Sequence, residues 1–240
     1  MKILLIAGHG NGDPGAVGNG YKESDLTREV VLLSKVSFSR FDGVTVDVAD
    51  TSKNWFDYIC KKGNSFNFKA YDYVLEVHFN AGVGDTTGNG KTTGAEIYVT
   101  TSENGVSVEE NILNNIVSLG FKNRGVKRKN FSLINHIKKQ GVSAALLEVC
   151  FIDDKDDMKL YATHVDDVAA AIVNGIANGF GLTEKTSKIT STELTSVNDI
   201  VWELANRGII TDKALWLKKL EEDKNAYWLA RKCANYINSH

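Results

Sequence analysis

The chain has 240 residues, of which 42% are hydrophobic and 24% are charged, and its formal net charge is −2. A chain of this size buries a sizeable core and fits either one large domain or a medium domain with a small one. The nearly balanced charge produces no overall field towards nucleic acid, and no run approaches the roughly 20 apolar residues of a membrane span. We therefore expect neither nucleic-acid binding nor membrane insertion.

Three cysteines, Cys60, Cys150 and Cys233, lie far apart and match no zinc-ribbon spacing. Such a scattered, odd set is typical of reduced thiols. The apolar run at residues 3–7 is too short for the hydrophobic region of a signal peptide, and polar residues follow it directly. The sequence therefore predicts a protein that is made in the cytoplasm without a signal peptide.

Strand and helix patterns alternate through the first two-thirds of the chain. Compact or alternating apolar runs predict strands at 3–6, 44–48, 73–77, 95–99 and 144–152. Apolar residues at helical spacing predict helices at 24–41, 54–62, 106–119, 133–139 and 154–179. Ser24 or Asp25 is the expected N-cap of the first helix. This order predicts an α/β fold with a twisted, mostly parallel or mixed sheet flanked by helices.

The remaining residues differ in composition from this unit. Residues 183–194 are polar and rich in Ser and Thr, which is typical of a linker. About three short helical patterns follow, with Trp202, Trp216 and Trp228 among them. The sequence thus predicts a domain at 1–182, a linker at 183–194 and a small all-helical module at 195–240. The tryptophans could form a carbohydrate-binding face or the core of a small bundle.

Four residues carry the chemistry. His9 ends the first strand, Glu23 opens the first helix, and His78 ends a later strand. Two imidazoles and one carboxylate leave a fourth tetrahedral position open, which is the arrangement of a catalytic zinc site. Glu148 interrupts an otherwise apolar strand, so it should face a partner, a cavity or a water that it activates as a general base.

Each of these residues also has a purely structural interpretation. A histidine at a strand end is most often a hydrogen-bonded polar residue, and Glu148 could belong to a buried ion pair. The combination of all four favours the metal site. Glu76 and Glu96 are each interpreted as a solvated or hydrogen-bonded acid, although one of them could contact substrate. Residues 13–15 are interpreted as a turn and Cys150 as a packed thiol. The other histidines are not expected to bind metal: His136, His164 and His240.

These motifs resemble those of the zinc-dependent N-acetylmuramoyl-L-alanine amidases of the type-3 class, especially those of phage endolysins. The similarity covers about residues 1–181. Besides Glu23, it is carried by the segments AGHG with DPGA within 7–16, VHFNA at 77–81, GAE at 94–96 and LEVCFI at 147–152. The resemblance implies that the residues that bind Zn²⁺ are His9, Glu23 and His78, and that Glu148 is catalytic. Asn80 and Glu96 are weaker candidates for substrate contacts.

The resemblance implies a peptidoglycan hydrolase that cuts the amide bond between N-acetylmuramic acid and L-alanine with zinc-activated water. The expected lack of a signal peptide suggests a phage or prophage endolysin that acts on the cell wall after release. The C-terminal module is expected to serve in cell-wall targeting or assembly, including self-association. Two alternatives stay open: a zinc peptidase or carboxypeptidase, which would need Arg124 or Arg128 to clamp a carboxylate, and a non-catalytic cell-wall-binding protein.

Overall fold

A computed structural model describes residues 1–184 together with Leu204 and Ile209. The chain divides into two units, Met1–Thr183 and Glu184–His240. The predicted linker and helical module therefore lie, but for those few positions, outside the described residues. In the described part, none of the helices is long and apolar enough to cross a membrane.

Six strands form one mixed sheet. They are β1 (Lys2–Ala7), β4 (Thr45–Val48), β5 (Tyr73–Asn80), β6 (Ala95–Val99), β7 (Asn123–Arg128) and β8 (Ser143–Phe151), while β2 (Val17–Gly18) and β3 (Tyr21–Lys22) form a separate hairpin. The order in the sheet is β4-β1-β5-β8-β6-β7. Neighbouring strands are parallel except for β6 and β8, which are antiparallel. The predicted mostly parallel, mixed sheet is confirmed.

Five helices flank this sheet. They are α1 (Glu23–Ser37), α2 (Ser107–Ser118), α3 (Ser132–Lys139), α4 (Lys155–Thr163) and α5 (Val165–Phe180). Shorter helical turns cover Phe38–Arg40, Asp57–Lys61 and Phe68–Ala70. On one face, α3 packs over a core that contains Leu4, Val74 and Leu146. That cluster includes no residue of α1, α2 or α5. These three helices pack on the other face of the sheet, where α1 contacts β1 and β5.

The start of α1 differs from the prediction. Neither Ser24 nor Asp25 caps the helix, which begins at Glu23 after Lys22 and has no side-chain cap. The preceding loop supplies the missing acceptors: Glu23 N–H donates to the carbonyl of Ala16, and Ser24 N–H donates to that of Pro14. Backbone groups thus satisfy the first helical donors, and they tie Glu23 to the glycine-rich loop.

The single helix predicted at 154–179 is wrong. The chain forms two helices there, α4 and α5, which are separated by His164 with φ −129° and ψ 26°. A side chain fixes the beginning of α4, because Asp154 accepts hydrogen bonds from the backbone N–H groups of Asp156 and Asp157. The amphipathic pattern continued across the break, which is why the sequence did not reveal it.

Candidate metal centre and active site

Three of the predicted site residues meet at one edge of the sheet. His9 follows β1, His78 lies near the carboxyl end of the adjacent parallel strand β5, and Glu23 opens α1. One ligand atom of each residue lies within 4.8 Å of the others. Glu23 Oε1 is 3.1 Å from His9 Nε2 and 2.9 Å from His78 Nδ1. The fold therefore assembles a His₂Glu group that could hold a metal ion.

A second carboxylate orients each imidazole. Asp13 Oδ2 lies 2.8 Å from His9 Nδ1, and Asn54 donates to the same oxygen over 2.9 Å. Glu76 Oε1 lies 3.0 Å from His78 Nε2. Metal-binding histidines characteristically donate their other ring N–H to a carboxylate, which fixes the tautomer and the ring orientation. Both the three candidate ligands and the carboxylates that orient the two histidines therefore fit a bound metal ion.

Glu23 is held rigidly at the centre of the group. Its side chain is only 4% exposed, and its oxygens also accept from the backbone N–H groups of Phe79 and Ala16 over 3.0 and 2.9 Å. Burial alone would raise the pKa of Glu23. The hydrogen bonds and charges of His78 and His9 outweigh burial and leave that pKa well below its ordinary value. Glu23 is therefore ionised, as a metal ligand must be.

The loop that carries His9 has an unusual backbone. His9 has a φ of +58°, in the left-handed region that non-glycine residues seldom adopt. Arg28 of α1 stabilises this turn by donating to the carbonyls of Gly8 and His9 over 3.0 and 2.9 Å. Gly8 must lack a side chain, because a Cβ atom there would lie 2.3 Å from His78 Cε1. The loop and the His78 ring are thus packed directly against each other.

Glu148 lies beside this group, on the strand next to His78. On β8 it is in register with His78 on one side and with Glu96 of β6 on the other. Its Oε2 atom is buried and has no hydrogen-bond partner among the described residues. Burial raises the pKa of Glu148 to about 7; His78 opposes the shift and the nearby carboxylates of Glu23 and Glu96 add to it. A carboxyl group in this environment can take up and release a proton near neutral pH.

Asn80 and Glu96, the candidates for substrate contacts, are brought together but bind each other. Asn80 Nδ2 donates to Glu96 Oε1 over 2.9 Å, and Tyr98 OH donates to the same atom over 2.7 Å. Glu96 Oε2 accepts from Arg124 Nε over 2.6 Å and from Lys127 Nζ. Protein groups therefore occupy both oxygens of Glu96, whose side chain is 2% exposed. This arrangement favours an internal role for Glu96.

An open cleft gives access to the site. It has a volume of about 430 Å³ beside the metal-ligand group. Its lining includes His9, Glu76, His78 and Glu148 together with Trp55, Phe56 and Phe131. The apolar walls and the few converging polar groups are typical of a substrate-binding site.

The residues that orient the histidines were not among those predicted from the sequence. Asp13 was interpreted as part of a turn and Glu76 as a solvated or hydrogen-bonded acid. For Glu76 a signal was present, because residues two apart on a strand share a face and Glu76 stands two before His78. For Asp13 and Arg28 the sequence offered no comparable signal, since their contacts depend on how the loop folds.

A mixed α/β sheet that presents a His₂Glu group and a neighbouring carboxylate has an arrangement suited to hydrolysis with a bound metal ion. The family model of the N-acetylmuramoyl-L-alanine amidases (Amidase_3) matches residues 3–178. The chain belongs to this family. It is an amidase that acts on peptidoglycan, as the sequence predicted.

Individual relatives agree with this assignment. The sporulation-specific N-acetylmuramoyl-L-alanine amidase of Bacillus subtilis (strain 168) is 30% identical over 198 residues, which are 78% of this chain and 71% of that protein. The endolysin of Bacillus phage SPP1 is 31% identical over 192 residues, 76% of this chain and 67% of the endolysin.

Solved structures share the fold. The amidase AmiC2 of Nostoc punctiforme superimposes with a TM-score of 0.60 at 20% identity, over 75% of this chain and 97% of AmiC2. The catalytic domain of the CD27L endolysin targeting Clostridia difficile gives a TM-score of 0.57 at 24% identity, over 74% of this chain and 97% of that domain. At these identities the comparison supports the architecture alone.

Proposed function

We propose that this chain is a zinc-dependent amidase that cleaves the bond between N-acetylmuramic acid and L-alanine, with His9, Glu23 and His78 as zinc ligands and Glu148 as the catalytic acid and base. The observation that carries this proposal is the buried, unpaired Oε2 atom of Glu148 next to the His₂Glu group. A carboxylate in such a place is costly unless a reactant or a metal-activated water occupies the space before it.

Zinc held by the three ligands would polarise the amide carbonyl and lower the pKa of a water molecule. The protein's own part of the reaction falls to Glu148. Its carboxylate accepts the proton of the attacking water and, once protonated, donates it to the departing nitrogen of L-alanine. Both protonation states are accessible at neutral pH because burial raises the pKa of Glu148 to about 7.

We further propose that the protein acts as a phage or prophage endolysin. This role is supported by the 31% identity to the endolysin of phage SPP1. In this role the region at 195–240 would target the cell wall or mediate self-association. Sedimentation of the full chain with and without purified cell wall tests both possibilities.

The amidase proposal is tested on purified peptidoglycan with the wild type and two variants, Glu148→Gln and Glu110→Gln. The second is a matched control that removes an exposed carboxylate from α2. We expect new amino groups, N-terminal alanine and no new reducing sugar ends with the wild type and the control. A chelator should abolish the reaction, and Glu148→Gln should release at least 100-fold fewer amino groups, the scale of general acid–base catalysis.

Other outcomes would point to the alternatives. A different N-terminal residue would identify a peptidase. The absence of new ends of either kind, from a protein that still sediments with the cell wall, would identify a non-catalytic binding protein.

A further inference from the structure

The carboxylate of Glu96 anchors two cations beside the catalytic edge of the sheet. Glu96 is 2% exposed and accepts from both Arg124 and Lys127 through Oε2, while Asn80 and Tyr98 hold Oε1. The side chains of Arg124 and Lys127 are 28% and 38% exposed. The anchor is thus internal, whereas its two cations face solvent.

Arg124 is fixed in orientation but keeps unused donors. Its Nε atom binds Glu96, and its guanidinium carbon lies 4.7 Å from the ring centre of Phe151. Its Nη1 and Nη2 atoms have no hydrogen-bond partner among the described residues. A guanidinium that is held on one edge and one face presents its free edge as a preformed fork, the geometry that recognises a carboxylate.

The single anchoring carboxylate does not neutralise this pair. Arg124 and Lys127 share the one negative charge of Glu96, so the cluster has a net charge of +1. An anionic part of a substrate would therefore be attracted towards Arg124 and Lys127.

The order of the strands sets the direction in which the substrate lies. His78, Glu148 and Glu96 stand on the successive strands β5, β8 and β6, which are spaced by about 4.8 Å. Since Glu148 protonates the leaving nitrogen, the leaving peptide lies on the Glu148 side of the metal-ligand group. A peptide residue spans about 3.5 Å, so the residue after L-alanine comes close to the cation pair.

We propose that Arg124 and Lys127 form a subsite for a free carboxylate on the stem-peptide residue that follows L-alanine. This inference rests on the proposed function, because that function places the leaving peptide next to Glu148. It also changes the interpretation of Glu96, which holds the two cations in position instead of contacting the substrate.

Equilibrium binding to the full-length protein tests the subsite independently of catalysis. The probes are the dipeptides L-alanyl-D-glutamate and L-alanyl-D-isoglutamine, which differ only in that the α-carboxylate of the first is an amide in the second. We expect the wild type to bind L-alanyl-D-glutamate about tenfold more tightly than L-alanyl-D-isoglutamine, which is the usual contribution of a hydrogen bond to a charged group. Arg124→Gln should reduce this preference to twofold or less, and Lys127→Gln, which keeps the Arg124 anchor, should reduce it in part.

Lys122→Gln is the matched control. It removes one positive charge from an exposed position just before β7, and it should leave the preference unchanged. The subsite is refuted if the wild type binds both dipeptides equally or binds neither, or if Arg124→Gln weakens both to the same extent. If discrimination is intact but peptidoglycan is not cleaved, the subsite stands and the proposed catalytic function fails.

Discussion

Glu76 and His78 extend from the same face of strand β5, and their side chains meet with Glu76 Oε1 3.0 Å from His78 Nε2. This contact leaves Nδ1 of His78 to face Glu23 Oε1. His9 has the opposite arrangement, because Asp13 holds its Nδ1 atom and Nε2 faces Glu23. The two imidazoles thus present different nitrogens to the same point, and each is oriented by its own carboxylate.

Substitution of Glu76 should weaken metal binding without unfolding the protein. Glu76→Gln keeps an acceptor for His78 Nε2–H but removes the charge, so we expect zinc affinity to fall about tenfold. Glu76→Met removes the acceptor too, and the loss should approach about 100-fold. Competition with a chelating dye measures both. Equal zinc affinity in all three proteins would show that the contact with Glu76 does not orient His78 for the metal.

Gly8→Ala should disrupt the metal site although it changes no ligand. A Cβ atom at residue 8 would lie 2.3 Å from Cε1 of His78, whose ring is held between Glu23 and Glu76 and cannot easily move. We expect zinc affinity to fall at least tenfold. Gly105→Ala is the matched control, because a Cβ atom there meets nothing within 4 Å. Unchanged zinc affinity of Gly8→Ala would contradict the close packing of this loop on His78.

The metal-ligand group was predictable because it follows from topology. His9 and His78 stand where two buried strands end, and adjacent parallel strands bring such positions to one edge. Glu148 was conspicuous as the one acid in an apolar strand. The sheet was predictable because its central strands are continuous apolar runs, which are typical of buried parallel strands.

Two kinds of feature could not be predicted from the sequence. They are strands without a local apolar pattern and contacts between side chains of distant segments. Strand β7, with the sequence NRGVKR, contains one apolar residue and pairs only with β6 at the edge of the sheet, so it carries no strand pattern. The hairpin of β2 and β3 has only two residues in each strand. The identity of the partners of Glu96 was likewise hidden, because two of them, Arg124 and Lys127, come from β7.

Asp157 should make the stability of the protein depend on pH. It is 0% exposed and accepts from the backbone N–H groups of Gly94 and Phe151. Burial outweighs these bonds and raises the pKa of Asp157 from 3.8 to about 6. The folded protein therefore holds this proton more tightly than the unfolded chain. The resulting stability is fully present below pH 3.8 and is lost as the pH rises through 6.

The size of this contribution is on the order of 2–3 kcal/mol. Urea denaturation at pH 4.5 to 8 measures it. Relative to the Asp157→Asn variant, the wild type should lose this much unfolding free energy over that range. Asp42→Asn removes an exposed carboxylate and should show no such change relative to the wild type. A constant difference between wild type and Asp157→Asn at every pH would contradict the assignment.

Arg28 should prove as important to the metal site as the residues that orient the histidines, although it contacts no ligand side chain. Its guanidinium donates to the carbonyls of Gly8, His9 and Thr51 and so holds the left-handed turn at His9. A lysine has a single ammonium group and cannot serve three divergent carbonyls. We expect Arg28→Lys to lower the unfolding free energy by about 2–3 kcal/mol and zinc affinity about tenfold.

Arg128→Lys separates these two effects. Arg128 also donates to backbone carbonyls, those of Thr100 and Glu103, but it does so at the end of β7. The Arg128→Lys variant should therefore lose stability, while its zinc affinity should stay at the wild-type value. Urea denaturation and dye competition on both variants make the comparison. If Arg28→Lys loses stability and still binds zinc like the wild type, the backbone at His9 keeps its shape without the guanidinium, and Asp13 alone suffices to hold the imidazole in place.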